Sequence, residues 1–151
     1  KMDWRRFRQL LRDKYGVSKA YMFIGHMPEH EDLYKYMHEL GFLVVLKPTQ
    51  DTSKPKTDNK PEDEKKPIKG NIDADLVLWA VKEKDNYSKA VIVTGDGDFY
   101  GLIEYLKEQG KLEKVLAPNW QYSSLLKPFE SYIVRLDQMR RELAYHDRKK
   151  K

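Results

Sequence analysis

Residues 90–99, Ala-Val-Ile-Val-Thr-Gly-Asp-Gly-Asp-Phe, constrain this 151-residue chain more than any other stretch. The β-branched apolar run reads as a buried strand that stops at Thr94-Gly95. Two carboxylates follow, Asp96 and Asp98, separated by Gly97, and an amphipathic helical pattern starts at Phe99. In an open parallel α/β sheet, ligands bind outside the carboxyl ends of the strands. Two acids at such a tip repel each other by about 4 kcal/mol at roughly 4 Å and an effective dielectric near 20. A bound divalent cation removes that cost, so the motif predicts chemistry at this strand end.

The rest of the chain supplies a frame for it. Asp3 caps a helix with Trp4, Phe7, Leu10 and Leu11 on one face and Arg5, Arg6, Arg8 and Arg12 on the other. Tyr15-Gly16 ends this helix, and Ala20–Ile24 reads as a strand. A helix over 29–40 turns Leu33, Tyr36, Met37 and Leu40 inward, with Gly41 as its stop, and Phe42–Leu46 is the next strand. A third helix follows Gly70-Asn71-Ile72-Asp73, with Leu76, Val77, Ala80 and Val81 inward. After the acid pair comes a fourth helix over 99–109, whose inward residues are Phe99, Leu102, Ile103 and Leu106. Val115–Ala117 is a strand, Ser123–Phe129 a short helix, and Tyr132–Leu136 a last strand before a basic helix to about His146. Strands alternating with helices at this spacing predict an α/β fold, a mainly parallel sheet covered on both faces.

Between Lys47 and Lys69 the composition changes. Pro48, Pro55, Pro61 and Pro67 stand among Lys, Asp and Glu with one aliphatic residue, Ile68, which predicts a flexible loop inside the domain. Residues 1–139 thus read as one domain and 140–151 as a basic helix end and tail. The formal net charge of +5 favours a polyanionic partner. With no Cys, disulfides and thiolate metal sites are excluded. No apolar run approaches a membrane span and no signal peptide is visible, so a cytoplasmic location is expected.

Asp73 near the start of the third helix reads on its own as a favourable first-turn charge. Asp75 stands about 200° further round that helix, so the two cannot enter one site. An oxygen-only set of Asp73, Asp96 and Asp98 suits Mg²⁺ or Mn²⁺, which complete their shell with water and phosphate oxygens. Gly97 would let the backbone approach a ligand closely. His26 and His30 read as loop residues.

Lys69-Gly70-Asn71-Ile72-Asp73 followed by Val91–Phe99 resembles the NYN family of PIN-like nucleases. The helix through Leu102-Ile103-Glu104-Tyr105-Leu106, Ser123-Ser124-Leu125-Leu126 and Tyr132-Ile133-Val134-Arg135-Leu136 are similar to later segments of that family. The resemblance implies a three-layer α/β/α sandwich with a mainly parallel central sheet, PIN-like or Rossmann-like, and a metal-dependent ribonuclease activity. Asp73, Asp96 and Asp98 match the family's catalytic, metal-holding acids, with Thr94 as the small hydroxyl residue before the glycine. Thr94 and Asn71 are the expected supporting residues. Lys69, Lys47, Arg140, Arg141 and Trp120 are expected to contact single-stranded RNA, Trp120 by stacking or else packed in the core. A homodimer is left open.

The family pattern opens with a strand ending in Ile-Asp-x-x-Asn, and nothing before Asp3 matches it. A start at Lys1 instead of Met predicts that this strand belongs to a segment outside the numbering. The other reading is a catalytically silent RNA-binding or scaffold module with an incomplete acid set. A third reading takes Gly-Asp-Gly-Asp as the late acidic motif of a haloacid-dehalogenase-like phosphatase, whose early Asp-x-Asp nucleophile is not visible.

Overall fold

A computed structural model describes residues 2–48 and 69–144. They divide into two compact units, Lys19–Lys82 and, together, Lys1–Ser18 with Glu83–Lys151. Most of the 47–69 loop falls outside the described residues. Among those residues no helix is long and apolar enough to cross a membrane.

The Lys19–Lys82 unit contains β1 (Ala20–Gly25), α2 (Glu31–Glu39), β2 (Phe42–Lys47) and α3 (Lys69–Lys82). The label α1 belongs to Trp4–Tyr15 of the other unit. The strands β1 and β2 pair in parallel from Ala20↔Phe42 to Gly25↔Lys47. Gly41, at φ 102°, supplies the left-handed turn between α2 and β2. On β1, Tyr21 and Phe23 alternate onto one face, where the Trp79 ring of α3 meets them at 5.4 and 6.2 Å. Trp79 thus makes contacts that the sequence had assigned to other residues, while Val81, expected inward, is exposed.

Helix α2 is rotated from its expected orientation. Tyr34 and Met37 are buried, whereas Leu33 and Tyr36 are exposed at 44% and 43%. The cause is a polar anchor. The Tyr34 hydroxyl accepts from Met27 N at 2.9 Å and donates to Gly25 O at 3.2 Å. This pins the 34/37 side of the helix to the end of β1.

The second unit holds α1, β3 (Ala90–Val93), α4 (Tyr100–Glu108), β4 (Leu112–Ala117), β5 (Ile133–Arg135) and α5 (Arg140–Leu143). The strands form a parallel sheet in the order β3-β4-β5. As the middle strand, β4 buries Val115, Leu116 and Ala117 completely, as expected of a strand covered on both faces. Phe99, Leu102, Ile103 and Leu106 are all buried, the stripe predicted from helical periodicity. Leu126 and Phe129, from a 3₁₀ segment at Ser124–Tyr132, complete this core.

Asp3 caps α1 as expected, its Oδ1 accepting from Arg5 N and Arg6 N, and Gly16 at φ 68° closes the helix. The segment at Leu143-Ala144 is tied to it: Asp3 N donates to Leu143 O, and Met2 forms an antiparallel bridge with Ala144. Arg8 departs from the solvated face assigned to it. It is buried, and its guanidinium donates to Val17 O at 3.3 Å and Ser18 O at 3.1 Å. A buried cation is tolerated when its donors are satisfied. The last helix is a single turn, Arg140–Leu143, shorter than the basic helix expected, and 145–151 lie outside the described residues. The α/β class with parallel strands agrees with the sequence, its strands distributed over a two-stranded and a three-stranded sheet.

Candidate functional site

The β3 strand ends at Val93, but its ladder runs one bond further, with Thr94 N donating to Leu116 O at 3.0 Å. Thr94 is buried at 8% exposure, and its Oγ1 accepts from Asp96 N at 3.0 Å. Asp96 has an extended backbone and caps the 3₁₀ turn Gly97–Phe99, its Oδ1 accepting from Asp98 N at 2.8 Å. Phe99, buried below this turn, anchors it to the core. Hydroxyl, carboxylate and main chain therefore fix the backbone of both acids at the carboxyl end of β3.

One carboxylate oxygen of Asp96 and one of Asp98 lie within 4.8 Å of each other. Asp96 is half-buried and Asp98 exposed. A carboxylate offers about four lone-pair sites, so the cap bond leaves Asp96 with acceptor capacity. Two adjacent hard oxygen donors with room for water fit Mg²⁺ or Mn²⁺ better than a soft or imidazole-seeking metal.

Gly97 has a packing role at this turn. A Cβ built there would meet Ser123 Oγ at 2.5 Å and Leu125 Cδ1 at 2.8 Å. The missing side chain makes room for the loop after β4. Ser123 N donates to Gly95 O at 2.9 Å, and Ser123 Oγ accepts from Leu125 N at 3.2 Å. Behind it, Pro118 O accepts from Asp137 N at 3.1 Å. Arg135 grips Asp137 with two bonds, 3.0 and 2.8 Å, holding that carboxyl below its usual range, and the pairing raises the Arg135 pKa. Sequence reading missed Ser123 as a brace. Its position one residue before a short helical segment, typical of an N-cap, was the available signal.

Asp73 lies in α3, half-buried, in the other unit. The helix starts at Lys69, so Asp73 stands a full turn in, and the first-turn dipole reading no longer applies. Asp75 pairs with Lys47, Nζ to Oδ1 at 3.4 Å. Lys47, expected to hold RNA, thus has an acidic neighbour within its own unit. The side chains of Lys69 and Asn71 lie outside the described residues. Arg140 and Arg141 are exposed on α5, and Trp120 is 65% exposed, which removes the core-packing alternative. His26 pairs with Glu31 at 2.8 Å, a local surface contact that agrees with its reading as a loop residue.

A comparison with solved structures found the fold in a protein of unknown function from Vibrio parahaemolyticus. It is 22% identical, with a TM-score of 0.63 over 91% of this chain and 80% of that one. A search of curated proteins gave no match. The family model described as the NYN domain matches residues 1–136. That family is PIN-like and nuclease-related, and the acids at the end of β3 are a group that could hold a metal. The chain belongs to the NYN domain family.

Proposed function

We propose that this chain is a divalent-metal-dependent ribonuclease that hydrolyses phosphodiester bonds in single-stranded RNA. The observation that carries the reading is the hydrogen-bonded turn that keeps Asp96 and Asp98 within 4.8 Å at a parallel strand's carboxyl end. Asp96 and Asp98 are the proposed donors to the ion, and Asp73 is the third acid. Bound Mg²⁺ or Mn²⁺ supplies a Lewis acid that lowers the pKa of water and offsets charge on the phosphodiester oxygens. The protein's part is positional. Thr94 Oγ1 holds Asp96 N, and Asp96 Oδ1 holds Asp98 N, so the backbone that carries both carboxylates is set before charge develops. Lys69, Lys47, Arg140 and Arg141 are the proposed contacts to the RNA backbone, where compact and forked cations bind phosphate. Asn71 is the proposed second supporting residue.

The test is cleavage of an end-labelled single-stranded RNA. Hydrolysis should require Mg²⁺ or Mn²⁺, stop in EDTA, return on adding back the ion, and fall at least about 100-fold in Asp98→Asn. That loss should exceed the roughly 10–100-fold typical of a metal site's outer shell. Cleavage that continues in EDTA would remove the metal-dependent reading. Rapid hydrolysis of p-nitrophenyl phosphate with intact RNA would favour a phosphatase instead.

A further inference from the structure

Trp120 is more exposed than any other large apolar side chain among the described residues, at 65%. Leaving an indole in water forgoes a large burial gain, since aromatic side chains carry the largest apolar area of any residue type. Its backbone nevertheless is not loose. Asn119 Oδ1 accepts from Gln121 N at 2.7 Å, an Asx turn with Trp120 at its centre. On one side of that turn Pro118 is held by Asp137, and on the other Ser123 is bonded to Gly95. The loop also packs directly on the acid turn. A Cβ on Gly95 would meet Pro118 Cδ and Tyr122 Cβ at 3.3 Å, and one on Gly97 would meet Ser123 and Leu125. Trp120 is three residues from Ser123, a reach of at most about 10 Å.

We infer that Trp120 is a stacking platform for an unpaired nucleobase of the RNA chain whose phosphate lies at Asp96 and Asp98. The inference rests on the nuclease reading and adds a base subsite to it. An indole with two side-chain torsions, mounted on a braced turn, loses little entropy when a flat ring lies on it. Its chain neighbours Asn119 and Gln121 are exposed and polar, so they add no apolar surface to the Trp120 ring. A base already paired in a duplex has both faces covered by its neighbours, whereas an unpaired base offers one, which selects single strands. Every base has a π-face, so the platform should be tolerant of sequence.

The test uses the full chain carrying Asp96→Asn, so that binding is read without turnover, with and without Trp120→Ala or Trp120→Phe. Fluorescence anisotropy compares a labelled single-stranded RNA with an abasic oligomer of the same length. Base–aromatic stacking predicts about 5- to 100-fold weaker RNA binding for Trp120→Ala, a much smaller loss for Trp120→Phe, and unchanged binding of the abasic oligomer. Unchanged RNA affinity in Trp120→Ala overturns the inference, and so does an equal loss on RNA and abasic oligomer. If wild type cleaves RNA in the presence of the ion while Trp120→Ala binds normally, only the stacking subsite fails. If RNA stays intact but base-dependent binding needs Trp120, the subsite stands and the nuclease reading fails.

Discussion

Asp96→Asn should lower metal-dependent RNA cleavage by at least about 100-fold in kcat/KM, more than the loss expected from an outer-shell contact. The substitution suits the question because it removes charge while sparing structure. Asparagine is as good an N-cap as aspartate, and its amide oxygen can still accept from Asp98 N, now 2.8 Å from Asp96 Oδ1. What it cannot do is present an anionic oxygen to a hard cation. The thermal midpoint should therefore stay within a few degrees of wild type while activity falls. Activity within about threefold of wild type would show that the carboxylate at 96 does not hold the ion.

Gly97→Ala should be the most damaging small-to-large change near the site. The new methyl would lie 2.5 Å from Ser123 Oγ and 2.8 Å from Leu125 Cδ1. Ser123 Oγ cannot simply swing away, because it accepts from Leu125 N while Ser123 N is committed to Gly95 O. Relief must come from displacing the loop or the acid turn. Forced overpacking of this kind costs about 1–3 kcal/mol. In a protein of this size that corresponds to a thermal midpoint lower by roughly 2–12 °C. Because the strain falls on the turn that spaces Asp96 and Asp98, ion affinity should weaken as well. Calorimetric unfolding and an Mn²⁺ titration would read both effects. A midpoint equal to wild type would mean that the loop yields freely and does not brace the acids.

Local pattern revealed much of the fold. The buried stripe Phe99, Leu102, Ile103 and Leu106 follows helical periodicity, and the Asp3 cap follows from residue type and position. Failures arose where a tertiary polar contact overrode periodicity. Leu33 and Tyr36 made a plausible apolar face, but the bonds of the Tyr34 hydroxyl to Met27 and Gly25 set the rotation of α2. Arg8 has the sequence signature of a solvated charge, yet carbonyls at Val17 and Ser18 draw it inward. At the site, the paired acids were legible because two carboxylates around a glycine at a strand end have few structural explanations. The supports were harder to see. Thr94, expected as a supporting residue, holds a backbone amide, a contact that residue type alone does not specify. The space at Gly97 belongs to Ser123 and Leu125, which lie more than twenty residues downstream and enter only through the packing of the chain.

The central claim of the proposed function is that Asp96 and Asp98 hold a divalent cation at the end of β3. Fe²⁺ substituted for Mg²⁺, with ascorbate and peroxide, cuts a polypeptide chain next to the bound ion, and mass spectrometry locates the cuts. The account predicts cuts clustered near residues 95–99, suppressed by excess Mg²⁺ or Mn²⁺ and absent in Asp96→Asn. Cuts confined to other segments, or cuts at these residues that excess Mg²⁺ leaves unchanged, would contradict it.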